Sequence, residues 1–274
     1  MITAKIVADS IGPHGKRITS FLLVYPRFIH SELMTHRAFS RNAASSRAIP
    51  LSKMINNIRA NIAAPIHWGA EQKGMQSGGE IKEKDFAIGI WDAACQDAIK
   101  HAVALQGLGV HKSICNRILE PFAHMTTLVT ATEYVNFFNL RAHKDAMPEF
   151  QELAYQMLDL WVKGKPKEVK EGDWHLPFGD QYLSEGLSND NLLKICTARA
   201  ARTSYLTMEG EIAHEKDYEL HDRLKDSKHW SPFDHPAQCI NTMPGVTYGN
   251  YIGWMPYRKM FVDENMTVLT AVPR

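Results

Sequence analysis

Thirteen consecutive residues, 35–47, can add almost nothing to a core, and this limits what the chain can fold into. Arg37, Arg41 and Arg47 bring guanidiniums, His36 an imidazole, Thr35, Ser40, Ser45 and Ser46 hydroxyls, and Asn42 a carboxamide; Phe39 is the only large apolar side chain among them. The core must therefore be assembled from the sequence on either side, and residues 35–47 must lie at a surface or against a ligand. An Arg fork matches the oxygens of a phosphate or carboxylate, and Ser hydroxyls with nearby backbone N–H groups can complete an anion cradle. A solvated basic loop is the alternative reading of the same composition. The formal net charge is +1, so no global field draws the chain to nucleic acid or to an acidic membrane, and any anion site is local. That suits a small phosphorylated ligand.

At 274 residues the chain can bury a substantial core, as one large domain or one domain with an appendage. Residues 2–8 and 20–25 read as strands flanking the turn Gly12-Pro13-His14-Gly15, and residues 28–34 have helical spacing that feeds into the Arg/Ser segment, expected as a loop. Residues 70–84 read as a loop, 86–105 as a helix ending at Gly107-Leu108-Gly109, 111–119 as a shorter helix stopping before Pro121, and the β-branched run 126–132 as a strand. Helical spacing resumes over 133–140. Phe150, Leu153, Ala154, Met157, Leu158 and Trp161 then share one helical face, with Pro148 near the start and Gly164 after the end, and read as core. Residues 164–189 are polar and broken by Pro and Gly, a linker or loop between a catalytic core at 1–163 and a C-terminal segment at 190–274 packed on the same core. In that segment, 191–201 and 215–224 read as helices and 266–272 as a closing strand. Strands and helices do not alternate regularly, so the expected class is α+β, with a mixed or antiparallel sheet and packed helices.

Cys95, Cys115, Cys196 and Cys239 are scattered with no C-x-x-C pair, which fits reduced thiols in a cytoplasmic protein. The N-terminus lacks a signal-peptide core and no run is long enough to span a bilayer. Neither G-x-x-x-x-G-K-[ST] nor G-x-G-x-x-G occurs, so the common nucleotide loops are absent. His221-Asp222 with His214 lacks the further ligands a metal-dependent phosphohydrolase needs, and His229 with His235 makes no familiar zinc spacing, so no metal is expected.

The order of residues 35–47 resembles the signature of the flavin-dependent thymidylate synthases, R-H-R-x-x-S-x-N-E-x-S-x-R. His36, Arg37, Ser40, Asn42, Ser45 and Arg47 fall on six of its eight defined positions, while Thr35 replaces the leading Arg and Ala43 the Glu. A second block, Asn136-Phe137-Phe138-Asn139-Leu140-Arg141 followed by Ala146, Glu149 and the amphipathic helix, resembles the family's N-F-x-x-L-R … A-Q-x-E, with Met147 in place of Gln. Asn116-Arg117-Ile118-Leu119-Glu120-Pro121 is similar to its A-R-x-x-L-P segment, with Glu120 where Leu is usual. A third block is displaced. Ala200-Ala201-Arg202-Thr203-Ser204-Tyr205 and His229-Trp230-Ser231-Pro232-Phe233-Asp234-His235 resemble a-a-R-x-S-y … H-x-S-P-F-E-H, which in typical members precedes the Arg/His signature and here follows it. The chain reads as a rearranged variant, and a Pro232-stabilised turn with satisfied histidines is the other reading of that block.

The resemblance implies a homotetramer with FAD between subunits, and reductive methylation of dUMP to dTMP with methylenetetrahydrofolate as carbon donor and NADPH as reductant. It places Ser45, Ser46, Arg47, Arg117 and Arg141 on the nucleotide, with Glu32 where the family has Gln. It places His36, Arg37, Ser40, Asn42 and Asn136 on the flavin. The chemistry independently calls for a cation at Arg141, because methylating carbon 5 of uracil leaves negative charge on a ring carbonyl, which a fixed guanidinium stabilises. A helix C-terminal cap is the alternative role for Arg141, and a surface cation for Arg117. The departures at Thr35, Ala43 and Glu32 leave two further readings. One is a flavin- and folate-dependent enzyme acting on another pyrimidine nucleotide, for example by hydroxymethylation; the other is a non-catalytic nucleotide- or flavin-binding homologue.

Overall fold

The computed structural model describes residues 1–204, 213–241 and 246–265. Strands β1 (Thr3–Ile11) and β2 (Arg17–Pro26) form an antiparallel hairpin whose turn is closed by Gly15 at φ +76°. Pro26 ends β2, and after one 3-10 turn the chain enters the short helix α1 (His30–Met34). The Arg/Ser segment is not all loop: Ser40–Ala43 forms strand β3. Helices α2 (Leu51–Ala60), α3 (Lys84–Gly107) and α4 (Lys112–Cys115) follow, the last running into a 3-10 helix at Asn116–Phe122 that carries Pro121 inside it. Strand β4 (His124–Ala131) leads to α5 (Val135–Arg141) and α6 (Pro148–Lys163). Short strands β5 (Lys167–Glu168) and β6 (Trp174–His175) precede helices α7 (Asn189–Thr203) and α8 (His214–Asp226). Strands β7 (Ala237–Cys239), β8 (Thr247–Tyr248), β9 (Tyr251–Ile252) and β10 (Trp254–Pro256) complete the described chain. The fold is α+β.

The main sheet has the order β3-β4-β2-β1-β5, antiparallel except for β5, which runs parallel to β1. On one face, Phe21, Leu23 and Tyr25 of β2 and Val129 of β4 meet Phe137 and Phe138 of α5 and Phe150, Leu153, Ala154 and Met157 of α6. These α6 positions are the ones the 3.6-residue period puts on one stripe. Gly164 ends α6 in extended rather than left-handed geometry, and a Cβ there would meet Leu160 O at 2.8 Å and Arg17 Nη2 at 2.9 Å. A second cluster joins α2, α3 and the 116–122 turn through Met54, Ile55, Ile58, Cys95, Ile99 and Leu119.

The opposite face of the sheet carries a buried polar patch. Ser10, Ser20 and Thr130 point from it toward the C-terminal elements. There His175 Nδ1 bonds Ser10 Oγ at 3.0 Å, His175 Nε2 bonds Ser20 Oγ at 2.8 Å, Ser20 bonds Thr130 at 2.5 Å, and Thr130 Oγ1 bonds His235 Nδ1 at 2.8 Å. The segment 164–189 supplies β5 to the main sheet and β6 to the three-stranded sheet β10-β7-β6. Helix α2 was not expected, although Leu51, Met54, Ile55 and Ile58 have helical spacing; its polar remainder hides the pattern. The expected strand at 266–272 lies outside the described residues.

Candidate active site

Helix α5 is fixed in rotation by Phe137 and Phe138 in the core, and this carries Arg141, in its last turn, to the side of α1. Arg141 Nε donates to His36 Nε2 at 3.0 Å and Nη1 donates to Glu32 Oε2 at 3.0 Å. The guanidinium carbon stands 4.7 Å from the centre of the Phe150 ring, a cation–π arrangement. No protein group among the described residues bonds to Nη2. Because His36 Nε2 accepts, the ring proton sits on Nδ1. The imidazole is wedged among Phe39, Phe137 and Phe150 at centroid distances of 5.7, 5.0 and 6.0 Å. Burial, reinforced by the Arg141 and Arg41 charges, lowers its pKa to about 4, so His36 is neutral at pH 7.

Glu32 and Arg141 open onto a cleft of about 1070 Å³, whose far wall includes Trp68, Met75 and Ile81. Glu149, which is 1 % exposed, accepts the Ile66 N–H at 2.7 Å and so fastens that wall to the start of α6.

Strand β3 separates this group from a second one. Its register on β4, Ser40 opposite Thr130 and Ala43 opposite Thr127, sends alternate side chains to opposite faces. Ser40 accepts from Asn250 Nδ2 at 3.4 Å, and the buried Asn42 donates to the Ala200 carbonyl at 3.2 Å, so both face the C-terminal elements. Arg41, on the other face, donates to the Met34 and His36 carbonyls and holds the turn that presents His36. Beyond β3, the Ser45 N–H donates to the Ser204 carbonyl at 2.9 Å. Ser46 Oγ donates to Glu120 Oε1 at 2.6 Å, and Arg117 Nη1 to the same oxygen at 3.0 Å. Asn116 ties this turn to the 116–122 helix by donating to the Ser46 and Ile49 carbonyls at 2.7 and 2.9 Å.

The expected residues thus fall into two groups at the ends of β3: Glu32, His36 and Arg141 at one, Ser46 and Arg117 around Glu120 at the other. Arg37, Arg47 and Asn136 are exposed. Arg27, which pairs with Glu120 as an ion pair at 3.1 Å, was not singled out by the sequence, and no local spacing marks it. In the displaced third block, His229 and Ser231 are exposed whereas His235 is fully buried and, like His175, has its pKa driven down to about 3 by burial. No group of three or more His, Cys, Asp or Glu able to hold a metal occurs among the described residues. No helix among them is long and apolar enough to cross a membrane.

Residues 17–167, more than half of the chain, match the thymidylate synthase complementing proteins, the flavin-dependent thymidylate synthase family. The chain belongs to this family. No curated protein matches. Among solved structures, the UMP/dUMP methylase PolB from Streptomyces cacaoi bound with 5-Br dUMP is 18% identical, with a TM-score of 0.50 over 60% of this chain and 90% of that one. The same methylase bound with 5-Br UMP is 19% identical, with a TM-score of 0.49 over 60% and 89%. The former likeness shows the shared fold. The family match stops at residue 167, so the displaced third block lies outside it.

Proposed function

We propose that the chain catalyses the flavin-dependent reductive methylation of dUMP to dTMP, with methylenetetrahydrofolate supplying the carbon and NADPH the reducing equivalents. The observation that carries this reading is the fixed Arg141 guanidinium, held by Glu32 and by a neutral His36 with Nη2 left over at the edge of a large cleft. Negative charge that develops on a uracil carbonyl would meet a cation whose orientation is already set, and no reorganisation is needed at the moment of reaction. A neutral His36 matters because an imidazolium would oppose the adjacent guanidinium. Glu32 balances the charge of Arg141 at rest.

A flavin fits part of the expected set. His36 has its Nδ1–H available and Arg37 and Asn136 are exposed, whereas Ser40 and Asn42 are committed to the C-terminal elements. A bound flavin supplies the hydride that completes the methyl group, so the protein needs no cysteine nucleophile. All four cysteines are buried, and burial raises the Cys95, Cys196 and Cys239 thiols.

Ser45, Ser46, Arg47 and Arg117, the residues expected on the nucleotide, lie at the other end of β3 from Arg141. We infer a homotetramer in which each site takes one group from each of two subunits. Exposed apolar side chains support association: Phe86 and Ile90, one turn apart on α3, and Leu108 just past its end are 74, 57 and 81 % exposed. The alternative, a related flavin and folate enzyme acting on another pyrimidine nucleotide, draws support from Glu32 and Glu120, two carboxylates at positions where the family resemblance has none. Anaerobic spectroscopy of the FAD-loaded protein with NADPH tests both readings. Bleaching that dUMP accelerates, with recovery on adding methylenetetrahydrofolate and appearance of dTMP, is expected; bleaching indifferent to dUMP points to the other nucleotide, and no flavin binding removes the enzyme assignment.

A further inference from the structure

Two donors and a further cation converge on one oxygen of Glu120. Oε1 accepts from Ser46 Oγ at 2.6 Å and from Arg117 Nη1 at 3.0 Å, and it forms an ion pair with Arg27 Nη2 at 3.1 Å. No protein group among the described residues bonds to the other oxygen, Oε2, which is not sealed from solvent, and the side chain remains 20 % exposed. A carboxylate gripped in this way by one oxygen is fixed in orientation. Its second oxygen is then an acceptor whose direction is set before a ligand arrives, which lowers the cost of using it.

The position of this carboxylate departs from the family pattern. Ala43 stands where the family signature has Glu, and Glu120 stands where the family segment usually has Leu. Glu120 projects from the 3-10 helix at Asn116–Phe122, which Asn116 locks to the Ser46 turn. The two guanidiniums beside it suit the phosphoryl end of a nucleotide, and the part of a nucleotide adjoining the phosphate is the sugar.

We propose that Glu120 is a substrate-recognition residue whose Oε2 accepts a sugar hydroxyl of the pyrimidine nucleotide, while Arg27 and Arg117 face its phosphate; this rests on the nucleotide reading given above. A hydrogen bond to a charged acceptor corresponds to roughly a ten- to hundredfold change in affinity. Calorimetric titration of the protein and of Glu120→Leu, which has no hydrogen-bonding group at this position, with dUMP and with 2′,3′-dideoxy-UMP, which lacks both sugar hydroxyls, separates this role from a structural one. The wild type should bind the dideoxy nucleotide about tenfold or more weakly than dUMP, and Glu120→Leu should bind the two alike. The same penalty in both proteins overturns the proposal, because a residue that only braces Ser46 and Arg117 would weaken both ligands equally. Absence of dUMP binding by the wild type overturns the nucleotide reading instead. Should Glu120→Leu unfold, Ser46→Ala loosens the carboxylate while retaining it. A reduced preference for dUMP is then expected, and full retention of the preference overturns the proposal.

Discussion

At the scale of single residues, the site depends on orientation more than on charge. Arg141 is held through two of its nitrogens and stacked on Phe150, so shortening it removes a positioned charge as well as a charge. Arg141→Ala should lower turnover by at least about two orders of magnitude with folding retained, and Arg141→Lys should recover only part of it because an ammonium cannot reach Glu32 and His36 in the same fork geometry. Unchanged turnover in a folded Arg141→Ala protein would remove it from the mechanism. Glu32→Gln, which restores the family's residue, keeps an acceptor for Nη1 and removes the balancing carboxylate. It should strengthen binding of the anionic nucleotide several-fold, measured by titration with dUMP, and unchanged affinity would mean that the Glu32 charge is not felt at the nucleotide.

At the scale of elements, the behaviour of β3 shows what the sequence could and could not carry. Strands β2 and β4 and helix α6 were legible because a β-branched run or a 3.6-residue apolar stripe is written in their own residues. Strand β3 was not, since Ser40, Arg41, Asn42 and Ala43 have no strand propensity and pair only because β4 offers an edge. Spacing marked the candidate residues, but their division between the two ends of β3 depends on Glu120 and Arg27, contacts made across the fold. Asn42 illustrates the difference: it matches a signature position, yet its amide is spent on the Ala200 carbonyl. Asn42→Ala should therefore cost about 1–2 kcal/mol in stability, read from the urea midpoint, more than a purely ligand-facing side chain would. No change in that midpoint would mean that the contact with α7 contributes nothing.

At the scale of the whole molecule, the C-terminal elements cover the Ser10, Ser20 and Thr130 patch of the main sheet, and the block displaced in the sequence sits behind β3. Their attachment is sensitive to acid. His175 and His235 are buried as neutral rings with pKa values near 3, against about 6.5 in an unfolded chain, so the unfolded state binds more protons between those limits. Their contribution to stability is complete above about pH 6.5 and is lost as pH falls from there toward 3, with a slope of up to about 1.4 kcal/mol per pH unit for each ring. Urea midpoints measured between pH 7.5 and 4.5 should fall accordingly; a flat profile would mean that both rings reach solvent. The same five residues also carry information about proton position. If His175 holds its proton on Nδ1, Ser20 must donate to Nε2, Thr130 must donate to Ser20, and His235 must donate from Nδ1 to Thr130, leaving a bare lone pair on its unpartnered Nε2. If His175 holds it on Nε2, every bond reverses and His235 is left with an unmatched N–H. Nitrogen NMR should accordingly find two imidazoles, far apart in the chain, locked into one common tautomer.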